Sequence, residues 1–188
     1  KSMVYLDHAS TTPVDPQVLK AMLPYFSDNF ANPSSLYRDA LKTRSVIEGA
    51  REKIAVFLGC NSDEVVFTSG GTERDNMAIL GVARNHKKGH IITSQFEHPA
   101  VLNACRELES RGFRITYLKP TRDGFIKTSD VASALTKDTI LVSVMYANNE
   151  IGTIQPIPKI GKAIKAFNKT NKTAIVFHSD ACQATGYL

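Results

Sequence analysis

Apolar positions along the chain change their rhythm near residue 60. Before that point they recur at helical spacing. Tyr5-Leu6-Asp7 reads as a short extended piece and Thr11-Thr12-Pro13 as a turn. Asp15-Pro16 predicts a helix start, with Asp15 as N-cap and Pro16 at the first helical position. Val18, Leu19, Met22, Leu23 and Phe26 form its apolar face. Asn32-Pro33-Ser34-Ser35 breaks the chain. A long amphipathic helix follows, with Leu41, Ile47, Ala50, Ile54, Phe57 and Leu58 on one side, and Gly59 is suited to stop it.

Beyond residue 60, short β-branched runs alternate with helical stretches. Strands are predicted at 65–68, 90–93, 114–118, 140–145 and 174–177. Helices are predicted from Gly70-Gly71-Thr72 to about Arg84, and near 100–110, 129–135 and 158–167. Repeated βαβ units mean an α/β fold with a mostly parallel sheet sandwiched by helices. In such sheets ligands bind beyond the C-terminal strand ends. No internal repeat or low-complexity tract interrupts the pattern. The expected organisation is an extended arm over 1–14 and one large domain over 15–188.

Composition narrows the function classes. The chain has 188 residues, 43% hydrophobic and 22% charged, which argues against disorder. No stretch approaches the roughly 20 apolar residues of a membrane span. Lys1 to Asp7 shows no apolar leader, so a cytoplasmic location without membrane association is expected. The formal net charge is +5, but apart from Lys87-Lys88 and the stretch Lys159 to Lys172 the basic residues are scattered. Nucleic-acid binding is not expected. Cys60, Cys105 and Cys182 are odd in number and lack C-x-x-C spacing, which argues against a zinc site or disulfide framework.

Four segments at predicted strand ends carry unusual chemistry. Thr68-Ser69-Gly70-Gly71-Thr72-Glu73 joins a strand to a helix, and its glycines, free N–H groups and hydroxyls suit a phosphate. A tight turn capped by Thr72 would use the same residues. Phe96-Glu97-His98-Pro99 places His98 where it would stack on a flat ring and shuttle a proton, or else cap the next helix. Asn148-Asn149-Glu150-Ile151-Gly152 offers amide donors, or an Asx-turn. His178-Ser179-Asp180-Ala181-Cys182-Gln183 puts Asp180 where a carboxylate would hold a protonated pyridine nitrogen, with Gln183 near the ring oxygen. The plain alternative is an N-cap aspartate. A phosphorylated pyridine, pyridoxal 5'-phosphate, satisfies all four segments together. The glycine fingerprint of a nicotinamide site and closely grouped metal ligands are missing.

With Tyr5-Leu6-Asp7-His8-Ala9-Ser10-Thr11-Thr12-Pro13 at the other end, these segments resemble the cysteine desulfurases. Those are aminotransferase class V members of the fold-type-I pyridoxal-phosphate enzymes. The resemblance implies the N-terminal part of a large domain, with the small domain absent. It implies Gly71 and Thr72 at the phosphate, His98 stacked on the ring and transferring protons, Asn149 and Gln183 near the phenolic oxygen, and Asp180 on the ring nitrogen. The implied reaction takes sulfur from L-cysteine, giving alanine and an enzyme persulfide. The sulfur would go to iron–sulfur cluster assembly or thiolation, from a homodimer to a scaffold or acceptor protein. A selenocysteine lyase, another class V enzyme, or a non-catalytic truncated paralogue that binds a desulfurase are the alternatives.

Two departures from the family stand out. Its Schiff-base lysine lies in a Ser-x-His-Lys segment beyond the equivalent of Leu188, and its persulfide cysteine lies further on. The sole His-Lys pair here, His86-Lys87, sits in a polar turn and reads as surface. Cys60 and Cys105 read as structural residues at helical positions. Residues 1–188 alone are therefore expected to be inactive, and poorly stable unless paired with another chain. Arg74 stands where a small or acidic residue is usual, and is expected to face solvent.

Overall fold

The structure, a computed structural model, describes residues 4–187. It divides into two compact units, Lys1–Phe67 and Thr68–Leu188. Among the described residues, no helix is long and apolar enough to cross a membrane.

The first unit is helical. Helix α1 (Pro16–Met22) begins where Asp15 accepts hydrogen bonds from the Gln17 and Val18 amides, as its sequence predicts. The expected single helix through Phe26 is interrupted, because Pro24 has no N–H to donate and opens a second short helix, α2 (Pro24–Ser27). Helix α3 (Arg38–Leu58) ends at Gly59, whose φ of 68° is the left-handed conformation that glycine adopts without steric cost. Its predicted apolar face is not a core: only Ala40 and Ala55 of α3 are buried, while Leu41, Ile54, Phe57 and Leu58 stay exposed.

The strand predicted at 65–68 forms no ladder among the described residues. Val65 is extended, but Val66 and Phe67 are exposed. The segment packs on α3 instead. The Arg51 guanidinium donates to the Val65 carbonyl and lies 4.8 Å from the centre of the Phe67 ring. Strand propensity without a neighbour to pair with does not make a strand.

The second unit is the predicted sandwich. Helix α4 (Gly71–Arg84) leads into β1 (His90–Ser94), α5 (Pro99–Ser110), β2 (Arg114–Leu118), α6 (Thr128–Ala134), β3 (Thr139–Ser143), α7 (Ile157–Asn171) and β4 (Val176–His178). The four strands are parallel in the order β2-β1-β3-β4. Alternation along each strand builds two cores. Ile91 pairs with Leu141 and packs with Ile79 and Ala83 of α4 and Val101, Ala104 and Leu108 of α5. Ile92 pairs with Val142 and packs with Val131 of α6 and Ile160 and Ile164 of α7. Burying such side chains contributes roughly 2 kcal/mol each.

At the N-terminal end of the sheet, the His90 ring is 2.9 Å from Thr139 Oγ1 and 2.8 Å from Thr116 Oγ1. It is 1% exposed, and burial, with Arg114 nearby, pulls its pKa down to about 4. His90 is thus a neutral structural clip. His86 and Lys87, in the turn before β1, are exposed at this same end, in accord with a surface reading.

Candidate active site

The other end of the sheet gathers the unusual residues. Parallel strands all run toward it, so the segments following β1, β3 and β4 emerge side by side, and the N-terminus of α4 reaches the same edge.

Helix α4 starts at Gly71, with Gly70 as its N-cap and no side chain on its first N–H groups at that position. A Cβ on Gly71 would lie 2.7 Å from Cys182 Sγ, which is too close for any real contact. A side chain at this position would therefore displace the Cys182 thiol where the helix start meets the segment after β4. Thr72 lies exposed in the first turn. The Ser69 hydroxyl, expected to face an anion, already donates to Glu73 Oε2 at 2.6 Å, as does the Ser69 amide. These bonds pull the Glu73 pKa down.

Along α4, Asp75 shares the buried face with Ile79 and Ala83 at four-residue spacing. Asp75 is 1% exposed, and its Oδ1 has no hydrogen-bond partner. Two nitrogens lie at the edge of contact: Arg74 Nη2 at 3.7 Å and His178 Nε2 at 3.6 Å. Burial, then the charge of Asp180, pushes the Asp75 pKa up to about 6, against the pull of Arg74 and His98. The His178 ring is held on its other side by Ser143 Oγ at 2.9 Å, and burial lowers its pKa.

Asp180 follows β4 and is 7% exposed. Its Oδ1 accepts from Arg74 Nη2 at 2.7 Å and from the Cys182 amide at 2.9 Å. The second bond is a local turn contact and not a helix N-cap, since turns and not a helix follow. Arg74 does not simply face solvent as expected: it bridges Asp180 and Asp75 because both carboxylates are buried and need a cation. Arg74 Nη2 is also 2.9 Å from Cys182 Sγ. Burial and Asp180 nevertheless raise the Cys182 pKa, so this thiol is not activated. Cys105 is buried in α5 and pushed up to about 12, which fits a structural role, whereas Cys60 lies just past the α3 cap rather than inside a helix. Gln183 is exposed in the turn after Asp180.

His98 caps α5 with its own ring: Nδ1 accepts from the Ala100 amide at 3.1 Å. That bond assigns the proton of the neutral ring to Nε2 and fixes the ring's direction. Of the two readings offered by the sequence, the structure shows the helix cap, and that bond holds the imidazole in place.

Asn148 holds the loop after β3. Asn148 Oδ1 accepts from the Glu150 and Ile151 amides, closing the Asx-turn, and its Nδ2 donates to the Phe96 carbonyl at 3.2 Å. This ties the loop after β3 to the loop after β1 and leaves Asn149 half-buried beside it. Glu97 makes the second tie. It is 4% exposed, and its Oε1 accepts from Ser94 Oγ at 2.6 Å and from the Met145 amide at 2.9 Å. Its Oε2 has no partner, and burial pushes its pKa up to about 7.

The structure therefore links Gly71 and Asp180 through Cys182 and Arg74, and the loops of His98 and Asn149 through Glu97 and Asn148. Sequence reasoning assigns no role to Asp75, Glu97 or His178. Asp75 was the legible one: an acid on an apolar helix face, four residues before Ile79.

Comparison with known proteins adds to this geometry. The sequence profile of the family described as Aminotransferase class-V matches residues 4–187. The chain belongs to that family. Among curated relatives, the cysteine desulfurase IscS of Dictyoglomus turgidum is 52% identical over 190 residues, covering 100% of this chain and 47% of that protein. The cysteine desulfurase IscS of Clostridium botulinum strain Hall is 49% identical, covering 98% of this chain and 46% of that protein. The chain thus spans about half the length of these relatives. Among solved structures, SspA in complex with cysteine matches with a TM-score of 0.89 and 46% identity, over 96% of this chain and 51% of that one. A NifS-like protein matches with a TM-score of 0.92 and 37% identity, over 97% and 50%. The class V chain described here therefore has the α/β sandwich of the desulfurases, as its sequence pattern predicts.

Proposed function

We propose that this chain is the cofactor-binding part of a pyridoxal-phosphate-dependent cysteine desulfurase. The observation that carries the reading is the buried Asp180, placed beyond β4 and linked to the glycine start of α4. The site fits the cofactor on its own chemistry. The α4 N-terminus supplies N–H groups and positive dipole for a phosphate, with Gly71 and Thr72 at its first positions. Asp180 supplies a desolvated carboxylate for a ring nitrogen, and both of the contacts described above fall on Oδ1. Glu73 acts in the other direction, since it takes the Ser69 donors.

When bound, the cofactor supplies an electron-withdrawing ring that stabilises negative charge at the substrate's α-carbon. The chain's residues do the rest. Asp180 keeps the ring nitrogen protonated. His98, with Nδ1 pinned by the Ala100 amide, presents Nε2 to hold or move a proton. Asn149 and Gln183 orient the ring oxygen. The overall reaction moves one sulfur atom: L-cysteine and a protein thiol give L-alanine and a protein persulfide. The attaching lysine and the accepting cysteine come from outside residues 1–188, and a polypeptide of those residues alone does not turn over. The persulfide passes to an iron–sulfur scaffold or thiolation protein in the cytoplasm, from a homodimer.

The test is Asp180→Asn in the natural-length protein. Cofactor retention on gel filtration and alanine formation from L-cysteine should both fall at least about tenfold, the loss of roughly one charge-assisted hydrogen bond. Unchanged retention in the variant would remove Asp180 from the site.

A further inference from the structure

Arg74 spans two buried carboxylates with one positive charge. Its Nη2 is 2.7 Å from Asp180 Oδ1 and 3.7 Å from Asp75 Oδ1. Asp75 is the deeper of the two and makes no hydrogen bond through Oδ1. We propose that Asp75 is a positioning residue for the cofactor ring, acting through Arg74 to set how much negative charge Asp180 presents to the ring nitrogen. This rests on the pyridoxal-phosphate reading above.

The sign follows from charge counting. With Asp75 protonated, the guanidinium serves Asp180 alone and neutralises most of its charge. With Asp75 ionised, the same guanidinium is divided, and Asp180 keeps more negative charge for the ring. The nitrogen's proton is then held more firmly, and the ring binds tighter, as pH rises through the Asp75 titration. The groups facing Asp75 come from each neighbouring element. They are Arg74 on α4, His178 on β4, Asp180 after β4, His98 at the start of α5, and Glu97 in the loop before it. The His178 ring is bonded to Ser143, and burial lowers its pKa. Burial places the Asp75 titration near pH 6.

The probe is pyridoxamine 5'-phosphate, which cannot bond to a lysine. Its affinity is measured by equilibrium dialysis from pH 5 to 8, on natural-length protein stripped of cofactor. Wild type, Asp75→Asn, Arg74→Met and the double variant are compared. Between these pH limits wild type should tighten about tenfold more than Asp75→Asn, the coupling of about one pKa unit. In the Arg74→Met background, Asp75→Asn should change affinity less than about twofold. In wild type, the 15N resonance of labelled ring nitrogen should move with a midpoint near pH 6, a readout needing no variant. Parallel pH curves for wild type and Asp75→Asn, an undiminished Asp75→Asn effect without Arg74, or a pH-independent ring resonance would each overturn the proposal. If wild type binds no probe at any pH, the cofactor reading itself fails along with it.

Discussion

Glu97→Gln should change how stability depends on pH. Glu97 is 4% exposed and its pKa rises from 4.5 to about 7 on folding, chiefly through burial. A carboxyl with a raised folded pKa keeps its proton in the native state when the unfolded chain has lost it. Its contribution is complete below pH 4.5 and is lost as pH rises to about 7. At 1.36 kcal/mol per pH unit, that interval corresponds to about 3 kcal/mol. A glutamine side chain in place of Glu97 would keep the bonds from Ser94 Oγ and the Met145 amide, since both fall on Oε1. Urea unfolding of cofactor-free protein at pH 4.5, 6 and 8, followed by circular dichroism, measures the difference. Between pH 4.5 and 8, wild type should lose about 3 kcal/mol relative to Glu97→Gln. Parallel stability curves for the two proteins would refute the assignment of a protonated Glu97.

His90 opposes Glu97 in the same window. Its folded pKa is depressed to about 4, so its contribution is whole above pH 6.5 and lost as pH falls toward 4. His90→Gln should therefore remove a loss of about 3 kcal/mol at low pH, seen in the same urea series as a steeper fall in stability with rising pH. Gly71→Ala places a Cβ against Cys182 Sγ and should weaken pyridoxamine 5'-phosphate binding about tenfold in dialysis, roughly the cost of an overpacked contact. Adding Cys182→Ala should restore most of that loss. Gly59→Ala forces a side chain into a φ of 68° with open space around it. It should lower the stability of the first unit by about 1 kcal/mol, read as faster amide exchange near the end of α3.

The parallel sandwich was legible because each strand carries its own code. Ile91-Ile92 and Leu141-Val142 each send one side chain to each face, and caps such as Asp15 and Gly59 mark helix ends directly. The run at 65–68 has a strand's composition but forms none, because pairing depends on a neighbour that local sequence does not describe. Three site segments were legible as polar loops at strand ends, after β1, β3 and β4, and the fourth as the glycine start of α4. Their connections were not. Arg74 and Asp180 are 106 residues apart, and only the arrangement of α4 beside β4 joins them. Glu97 lies within a recognisable motif, but its hydrogen-bond donors are Ser94 and Met145, one of them 48 residues away.

The proposed function requires that Asp180 and the α4 N-terminus hold a pyridoxal phosphate that works on cysteine. The most direct measurement is L-alanine formed from L-cysteine by the natural-length protein, with bound cofactor quantified on the same sample, for wild type and Asp180→Asn. Cofactor near one per chain is expected, with alanine formation matched by persulfide or released sulfide, and both lowered together in the variant. A protein that retains no cofactor and forms no alanine, or a variant that performs as well as wild type, would contradict it.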